Sequence, residues 1–359
     1  MHPFRRLLLI SLGRFDHFDK NPTPRDWSLM FKMARQQAML GVLYEGILRL
    51  PEGQRPQENI LGLWKKLAEL IAEKYHKHEE QAKELEKVLE RMGLHGCILK
   101  GTGLSRLYPV PERRMCGDID LWIKGTHEEI IDAFRKEGHP LRDVIYQESK
   151  VDIFKDTEVE VHFHASKMYC PSSNEKLQKY LEENSPISDN AFLTYPSTKF
   201  NAVYCMSHMF HHYLEGGIGM RQMLDYYYIL KNLDPSLKET VYKDLEYLGM
   251  ARFTGAVMDV LCFNFGLEKE YLLCEPDEKN GKKLTSDIIG MGNFGILDKR
   301  NYTPKGESSL ARFIRKNKRI LSNLRYYPKE VIWAPYAKVH QYLWRKSHGY
   351  LNTEEKKDA

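Results

Sequence analysis

The segment Gly-Asp-Ile-Asp-Leu-Trp-Ile at residues 117–123 contains two aspartates, Asp118 and Asp120, separated by a single residue. Its composition predicts a β-strand. Alternate side chains of a strand lie on one face, so we expect both carboxylates to point the same way and Ile119 to point to the buried face. Two carboxylates this close repel each other, and burial increases the repulsion. Because Mg²⁺ prefers a few carboxylates completed by water and substrate phosphates, the pair indicates a magnesium site.

A second alternation of polar and apolar residues, EVEVHFH, follows at residues 158–164. We expect VDIF, a KDT turn and this segment to form a β-hairpin. Antiparallel pairing of its second strand with the aspartate strand would bring Glu160 beside the two aspartates. Glu158 shares that face, but Glu160 lies deeper in the strand and is the favoured third ligand. His162 and His164 are alternative ligands, or groups that hydrogen-bond the carboxylate.

Three carboxylates can hold two Mg²⁺ or Mn²⁺ ions. One ion would activate an attacking hydroxyl, and the other would bind a triphosphate and stabilise its leaving group. The alternative is a charged, solvated strand face, because Asp-x-Asp is a common tripeptide.

Residues that suit a phosphate precede the aspartate pair. Residues 94–99 predict a short buried strand, followed by Lys100-Gly101-Thr-Gly and a short helix. Gly101 lets backbone amides approach a phosphate, and a helix N-terminus attracts anions. Lys100 and Arg114 add positive charge on either side. The alternative for Lys100 is a solvated lysine at the end of a strand. Neither a P-loop nor a Rossmann fingerprint occurs.

Taken together, these segments resemble the polymerase-beta nucleotidyltransferase superfamily and, more narrowly, an uncharacterised bacterial nucleotidyltransferase family. The resemblance lies in LKGT, the short helix, RMCGDIDLWI and VEVHFH, and the stretch from His208 to Asp225 fits the same pattern. It covers roughly residues 90–230.

The resemblance implies that Asp118, Asp120 and Glu160 are metal ligands, with Glu160 also a candidate base. It implies that Gly101 and Thr102 contact the phosphates of a nucleotide. Thr102 departs from the superfamily, which usually has Ser or Gly at this position, and its extra methyl group crowds the turn.

The implied reaction moves a nucleoside monophosphate from an NTP, such as ATP, to an acceptor hydroxyl. The acceptor stays open among a small molecule, a sugar, an RNA and a protein. Two alternatives come from other classes of protein. One is a non-catalytic nucleotide-binding or scaffold protein on the same fold, and the other is a protein that binds RNA or a membrane surface.

The sequence predicts an α+β fold: a small mixed β-sheet nucleotidyltransferase core between helical N- and C-terminal segments. We expect a helical segment over residues 1–92, the core over 93–195, and a helical domain with a basic, aromatic end over 196–359. A long helix should run from about Glu58 to Met92 and end at Gly93. A break at Gly216-Gly217 should separate two helices, and the last residues, TEEKKDA, should form a frayed tail.

The composition is that of a folded protein: 359 residues, 42% hydrophobic and 29% charged, with a net charge of +5. The six cysteines form no C-x-x-C pair, which predicts reduced thiols and a cytoplasmic location. No segment approaches the roughly 18–20 apolar residues of a membrane span. The short apolar run near the N-terminus should form a core helix rather than a signal peptide.

Three weaker features have more than one interpretation. His208 and His212, four residues apart on a helix, could bind zinc or simply pack. Arg221 and Asp225 should form a structural ion pair. The basic and aromatic segment at residues 311–350 could bind nucleic acid or an anionic membrane, or its aromatic residues could pack while its cations are solvated.

Overall fold

The fold joins α-helices to a single small β-sheet, as the sequence predicts. The computed structural model describes residues 1–353, and the predicted frayed tail, apart from its first residue, lies outside the described residues. The strands are β1 (Gly96–Ile98), β2 (Ile119–Ile123), β3 (Glu148–Val151), β4 (Val159–His162) and β5 (Leu193–Thr194). The helices are α1 (Pro3–Ser11), α2 (Pro24–Gln36), α3 (Leu40–Arg49), α4 (Glu58–Met92), α5 (Thr102–Ser105), α6 (His127–Lys136), α7 (Pro171–Glu183), α8 (Thr198–Glu215), α9 (Met220–Asn232), α10 (Lys238–Tyr247), α11 (Ala251–Val260), α12 (Glu278–Met291), α13 (Ser309–Leu321) and α14 (Pro328–Ser347).

The sheet is mixed, with the strand order β3-β4-β2-β1-β5. β1 pairs with β2, and β3 with β4, in antiparallel fashion, whereas β2–β4 and β1–β5 are parallel. The predicted hairpin is confirmed, although its first strand is β3 rather than the VDIF segment. The expected antiparallel pairing of β4 with the aspartate strand is wrong. α6 and β3 intervene between β2 and β4, and this crossover returns the chain in the direction of β2.

One face of the sheet forms a hydrophobic core. Ile119 and Leu121 of β2 and Val159 and Val161 of β4 are buried there, as their alternation predicts. The second half of α4 and the apolar side of α6 cover this face, where Phe134 is fully buried. The strand residues between these apolar positions must therefore point to the opposite face.

The chain divides into two compact units, each built from separate stretches. The first comprises Met1–Lys77, Ser105–Cys116 and Gly216–Tyr302. The second comprises His78–Leu104, Gly117–Glu215 and residues from Thr303 onward, and it contains all five strands. The division into three consecutive segments at residues 92 and 195 stays a prediction.

Several helix boundaries follow their local signals. α4 runs from Glu58 to Met92 as predicted, and Gly93 ends it with a positive φ of 64°. The predicted break at Gly216-Gly217 separates α8 from α9. The apolar run near the N-terminus lies in α1, where Leu7 and Ile10 are fully buried.

All six cysteines are free thiols. Within residues 1–353, no helix combines the length and apolar character that crossing a membrane requires.

Candidate metal and nucleotide site

Three side chains converge on the polar face of the sheet. The parallel register of β2 and β4 places Asp120 directly opposite Glu160, with His162 two residues further along β4. One potential ligand atom from each of Asp120, Glu160 and His162 lies within 4.8 Å of the others. Asp118 stands just before β2 and is half-buried. Asp120 and Glu160 thus meet, although the predicted strand direction was wrong, and His162 rather than Asp118 is the third member of this group.

Asp120 is buried and carries a full negative charge. Its Oδ1 lies 2.8 Å from the Lys100 ammonium and 3.0 Å from Nε2 of His162. Burial alone would raise the pKa of Asp120, but Lys100 and His162 outweigh burial and hold that pKa well below its usual range. The sheet therefore keeps an ionised carboxylate away from bulk water.

Glu160 has the opposite behaviour. Burial, followed by the charges of Asp118 and Asp120, raises the pKa of Glu160 to about 7. Its nearest cation is Lys150, 3.7 Å away on β3. The cluster therefore accumulates more negative charge than its own cations neutralise, and a bound cation would relieve this repulsion.

The donor set fits a hard divalent cation. Carboxylate oxygens suit Mg²⁺ and Mn²⁺, and an imidazole nitrogen adjoining them is compatible with Mn²⁺. His162 is buried, and its Nδ1 lies 3.6 Å from a Glu148 carboxylate oxygen without a hydrogen bond. Burial lowers the pKa of His162, but the hydrogen bond to Asp120 and the charge of Glu148 raise it by more.

Lys100 lies inside this cluster rather than at its solvated rim. Its ammonium contacts Asp120 and also lies 3.0 Å from Nε2 of His208 on α8. Burial, then the charge of Lys100, lowers the pKa of His208 well below its usual value. His208 is therefore neutral, and its ring nitrogen accepts a hydrogen bond from the Lys100 ammonium.

Gly101 occupies a left-handed conformation, with φ of 59°. That conformation favours glycine, and an added Cβ would lie 3.6 Å from the backbone oxygen of Asp118. Thr102 begins α5, which is a single turn of four residues, and its side chain is buried. A short helix is present, although it begins at Thr102, inside the predicted turn, and ends at Ser105. The phosphate roles of Gly101 and Thr102 stay predictions.

Arg114 belongs to the other compact unit and is engaged there. Its Nε and Nη2 donate to the two oxygens of Asp225 at 2.7 and 2.9 Å. The hydroxyl of Tyr108 donates to the same carboxylate at 2.6 Å, and all three side chains are buried. Asp225 was expected to pair with Arg221, which instead donates to the backbone oxygen of Met115 at 2.8 Å. The phosphate role of Arg114 stays a prediction.

β3 contributes two residues to the cluster that the sequence pattern did not predict. Glu148 faces His162 across the β3–β4 pair, and Lys150 faces Glu160. Lys150 also holds the exposed Glu158 carboxylate at 2.5 Å. The alternation in ESKV is the signal that could have revealed them, but the predicted hairpin began three residues too late.

The α8 histidines do not assemble a metal site with each other. The rings of His208 and His212 are 4.3 Å apart, and burial lowers the pKa of both. Among the described residues, the group of three or more ligands close enough to hold a metal is Asp120, Glu160 and His162. Packing and the hydrogen bond to Lys100 account for these histidines better than zinc does.

The basic C-terminal segment has a mixed character. Arg319 is buried and donates to the backbone oxygens of Tyr213 and Leu214 at the end of α8. Trp344 packs against Tyr146 with ring centroids 5.6 Å apart. In contrast, a series of apolar and aromatic side chains is exposed on α13 and α14: Leu310, Ile314, Leu321, Ile332, Tyr336, Tyr342 and Leu343.

Comparison with protein families supplies an independent finding. A family model described as an uncharacterised nucleotidyltransferase matches residues 23–263. That span contains the carboxylate cluster, the turn at Lys100 and the whole sheet. Comparison with curated proteins and with solved structures finds no match.

The raised pKa of Glu160 predicts a pH dependence of stability in the absence of divalent cations. The folded protein retains a proton on Glu160 that the unfolded chain releases above its usual pKa of 4.5. The resulting stability is full below pH 4.5 and is lost as the pH rises through about 7. Melting temperatures of the parent should therefore fall between pH 5 and 8 more than those of Glu160→Gln. Glu158→Gln is the control and should follow the parent, whereas an unchanged pH slope in Glu160→Gln would contradict the assignment.

The buried pair of Arg114 and Asp225 predicts a structural role for the arginine. Arg114→Met leaves the Asp225 carboxylate buried without its bidentate partner, and it should lower the free energy of unfolding by about 3–5 kcal/mol. Denaturant unfolding measures this, and the double variant Arg114→Met/Asp225→Leu should recover part of the loss. A single variant as stable as the parent would show that the pair is not structural.

Proposed function

Because the chain belongs to this uncharacterised nucleotidyltransferase family, we propose that it moves a nucleoside monophosphate from an NTP to an acceptor hydroxyl. The observation that carries this proposal is the meeting of Asp120, Glu160 and His162 within 4.8 Å on the polar face of the sheet. Asp118 adds its charge at the start of the same strand.

The proposed transfer replaces one bond at the α-phosphorus of the NTP with another. The acceptor oxygen forms a bond to the α-phosphorus as the bond from that phosphorus to the oxygen of the β-phosphate breaks. Pyrophosphate leaves, and the hydroxyl proton passes to a base. Glu160 is the proposed base, because its carboxylate lies in the cluster directly opposite Asp120.

Asp118, Asp120 and Glu160 are the proposed ligands of one or two Mg²⁺ or Mn²⁺ ions. When bound, such ions neutralise the triphosphate and promote ionisation of the attacking hydroxyl. His162 positions the Asp120 carboxylate through its 3.0 Å hydrogen bond. This arrangement leaves the remaining carboxylate lone pairs for a cation.

Lys100 is proposed to leave Asp120 and bind the triphosphate when the nucleotide enters the site. Its ammonium pairs with Asp120 at 2.8 Å, and a triphosphate at the Gly101 turn would compete for it. Neutral His208 orients the ammonium and cannot itself repel a phosphate. Gly101 is proposed to keep the turn open to the phosphates, with Thr102 beside it.

The non-catalytic alternative shares the same ligands and differs in outcome. Mg²⁺-dependent binding of NTP without release of pyrophosphate would support it. The exposed apolar side chains and cations of α13 and α14 favour a second candidate, binding to an RNA or membrane surface. Binding of either that weakens with salt and survives loss of the carboxylates would support this second candidate.

Substitution of the carboxylates tests the proposed chemistry. Asp118→Asn, Asp120→Asn and Glu160→Gln should each lower Mg²⁺-dependent pyrophosphate release in the presence of NTP and cell extract by at least about a hundredfold. The cause is loss of charge at the metal ligands. Glu158→Gln, whose side chain is exposed and paired with Lys150, should retain the activity of the parent. The three ligand variants, unlike Glu158→Gln, should also lose the thermal stabilisation that Mg²⁺ and nucleotide give the parent.

Retained activity in either aspartate variant would remove the carboxylates from the mechanism. Loss of activity in Glu158→Gln together with retention in Glu160→Gln would reassign the third ligand to Glu158.

Substitutions in the turn test nucleotide binding. Gly101→Val places bulk where the phosphates are expected and should weaken NTP binding more than it lowers the melting temperature. Gly93→Val is the matched control, because Gly93 has a similar φ of 64° and open space around it. Lys100→Ala should weaken binding of an NTP more than that of the matching NMP, as measured by calorimetry in Mg²⁺. If Gly101→Val and Lys100→Ala both bind NTP like the parent, the turn is structural.

A further inference from the structure

A cavity of about 280 Å³ opens within the second unit. The ends of the hairpin strands form one wall, and α7, the end of α8 and α14 form the others. Polar side chains reach it from every wall and include two lysines and two carboxylates: Gln147, His164, Lys167, Asn174, Glu175, Gln178, Glu215 and Lys338. The volume lies near the lower limit of small-molecule sites and is too small for an RNA strand or a protein segment.

Two elements lead from the carboxylate cluster to the cavity. β4 ends at the candidate ligand His162, and His164 of the cavity follows in a bend two residues later. α8 carries both His208, which contacts Lys100, and Glu215, which lines the cavity. Phe163, between His162 and His164, is buried in the core on the other face. The backbone oxygen of Gln147 accepts hydrogen bonds from the amides of Phe163 and His164 at 2.8 and 3.2 Å, which fixes this wall.

Four buried polar atoms at the cavity lack a hydrogen-bond partner among the described residues. They are Oε1 of Gln147, Nε2 of His164, the hydroxyl of Tyr169 and Nζ of Lys338. Tyr169 is only 6% exposed, so its hydroxyl is not simply solvated. Buried polar atoms are nearly always paired, and four orphans around one cavity point to a polar ligand.

Two lysines and two carboxylates line the cavity: Lys167, Lys338, Glu175 and Glu215. Glu175 is exposed, and the Glu215 carboxylate accepts a hydrogen bond from His211 at 3.1 Å. Nζ of Lys338 is buried without a hydrogen-bond partner among the described residues. Burial lowers the pKa of Lys338 to about 8, against the opposing charge of Glu215. An anionic group in the cavity would therefore pair with Lys338 and the neighbouring Lys167.

The walls of the cavity are held in place without a ligand. The Glu330 carboxylate of α14 accepts hydrogen bonds from the backbone amides of Tyr169 and Cys170 at 2.6 and 3.1 Å, at the start of α7. A carboxylate at a helix N-terminus is stabilising, and it joins the two helices that carry Lys338 and Gln178. Tyr146 and Tyr336 add aromatic faces suited to the apolar side of a sugar ring.

We propose that this cavity binds the acceptor, a small polyhydroxylated molecule about one sugar ring in size that carries a phosphate or carboxylate held by Lys167 and Lys338. This proposal rests on the proposed nucleotidyl transfer and names its acceptor class. The anionic group sits between the two lysines, and the orphan amide, imidazole and phenol groups bind hydroxyls. One hydroxyl is directed along β4 toward Asp120 and Glu160.

Calorimetry on the full chain with hexose and pentose phosphates, uronic acids and the corresponding neutral sugars tests the proposal. At least one anionic probe should bind the parent at least tenfold more tightly than its neutral counterpart. Lys338→Gln and Lys167→Gln should each weaken that binding at least tenfold. Lys329→Gln, on the same helix and exposed, is the matched control and should bind like the parent. Phosphate and carboxylate probes compared side by side identify which anion is preferred.

The outcomes separate this proposal from the one it rests on. Asp120→Asn should bind the anionic probe like the parent while losing nucleotide-dependent stabilisation, since the two sites are distinct. Absence of binding by every anionic probe, or binding unchanged in both lysine variants, overturns the acceptor proposal even if Mg²⁺ and NTP still stabilise the parent. If the parent binds the anionic probe but is not stabilised by Mg²⁺ and NTP, the cavity is a ligand-binding site and the proposed nucleotidyl transfer is contradicted.

Discussion

The repulsion between carboxylates on neighbouring parallel strands is the constraint on which the rest of this unit depends. The register that pairs β2 with β4 sets Asp120 opposite Glu160, and the core on the reverse face prevents either strand from turning over. Lys100 and His162 offset only part of the charge. One carboxylate therefore stays ionised, while the pKa of the other rises to about 7.

The residues around the cluster limit the repulsion between its carboxylates. α8 supplies buried histidines that are neutral, and one of them accepts a hydrogen bond from the Lys100 ammonium instead of competing with it. β3 places Glu148 and Lys150 beside the pair and so adds a charge of each sign. A bound cation would neutralise the excess negative charge of the cluster and could also bind a triphosphate. The geometry of the cluster therefore agrees with the chemistry of the nucleotidyltransferase family.

Local patterns predicted much of this site, and tertiary packing decided the remainder. The alternation in DIDLWI and EVEVHFH gave the strands, their buried faces and the three carboxylates, and Gly93 marked the end of α4. The direction of β4 was missed because alternation is the same in parallel and antiparallel strands. Contacts between residues far apart in sequence, such as Arg114 with Asp225 or Lys100 with His208, leave no signature in local spacing.

The transfer of position-specific label tests the central claim most directly. The protein is incubated with Mg²⁺, a small-molecule extract and an NTP labelled either at the α-phosphate or at the γ-phosphate. Nucleotidyl transfer predicts that the α-label enters a new product while the γ-label appears only in pyrophosphate. With the Glu160→Gln variant, neither the labelled product nor labelled pyrophosphate should form. Transfer of γ-label to the product would identify a phosphotransferase of another type, and label that stays in the NTP under all conditions would contradict nucleotidyl transfer.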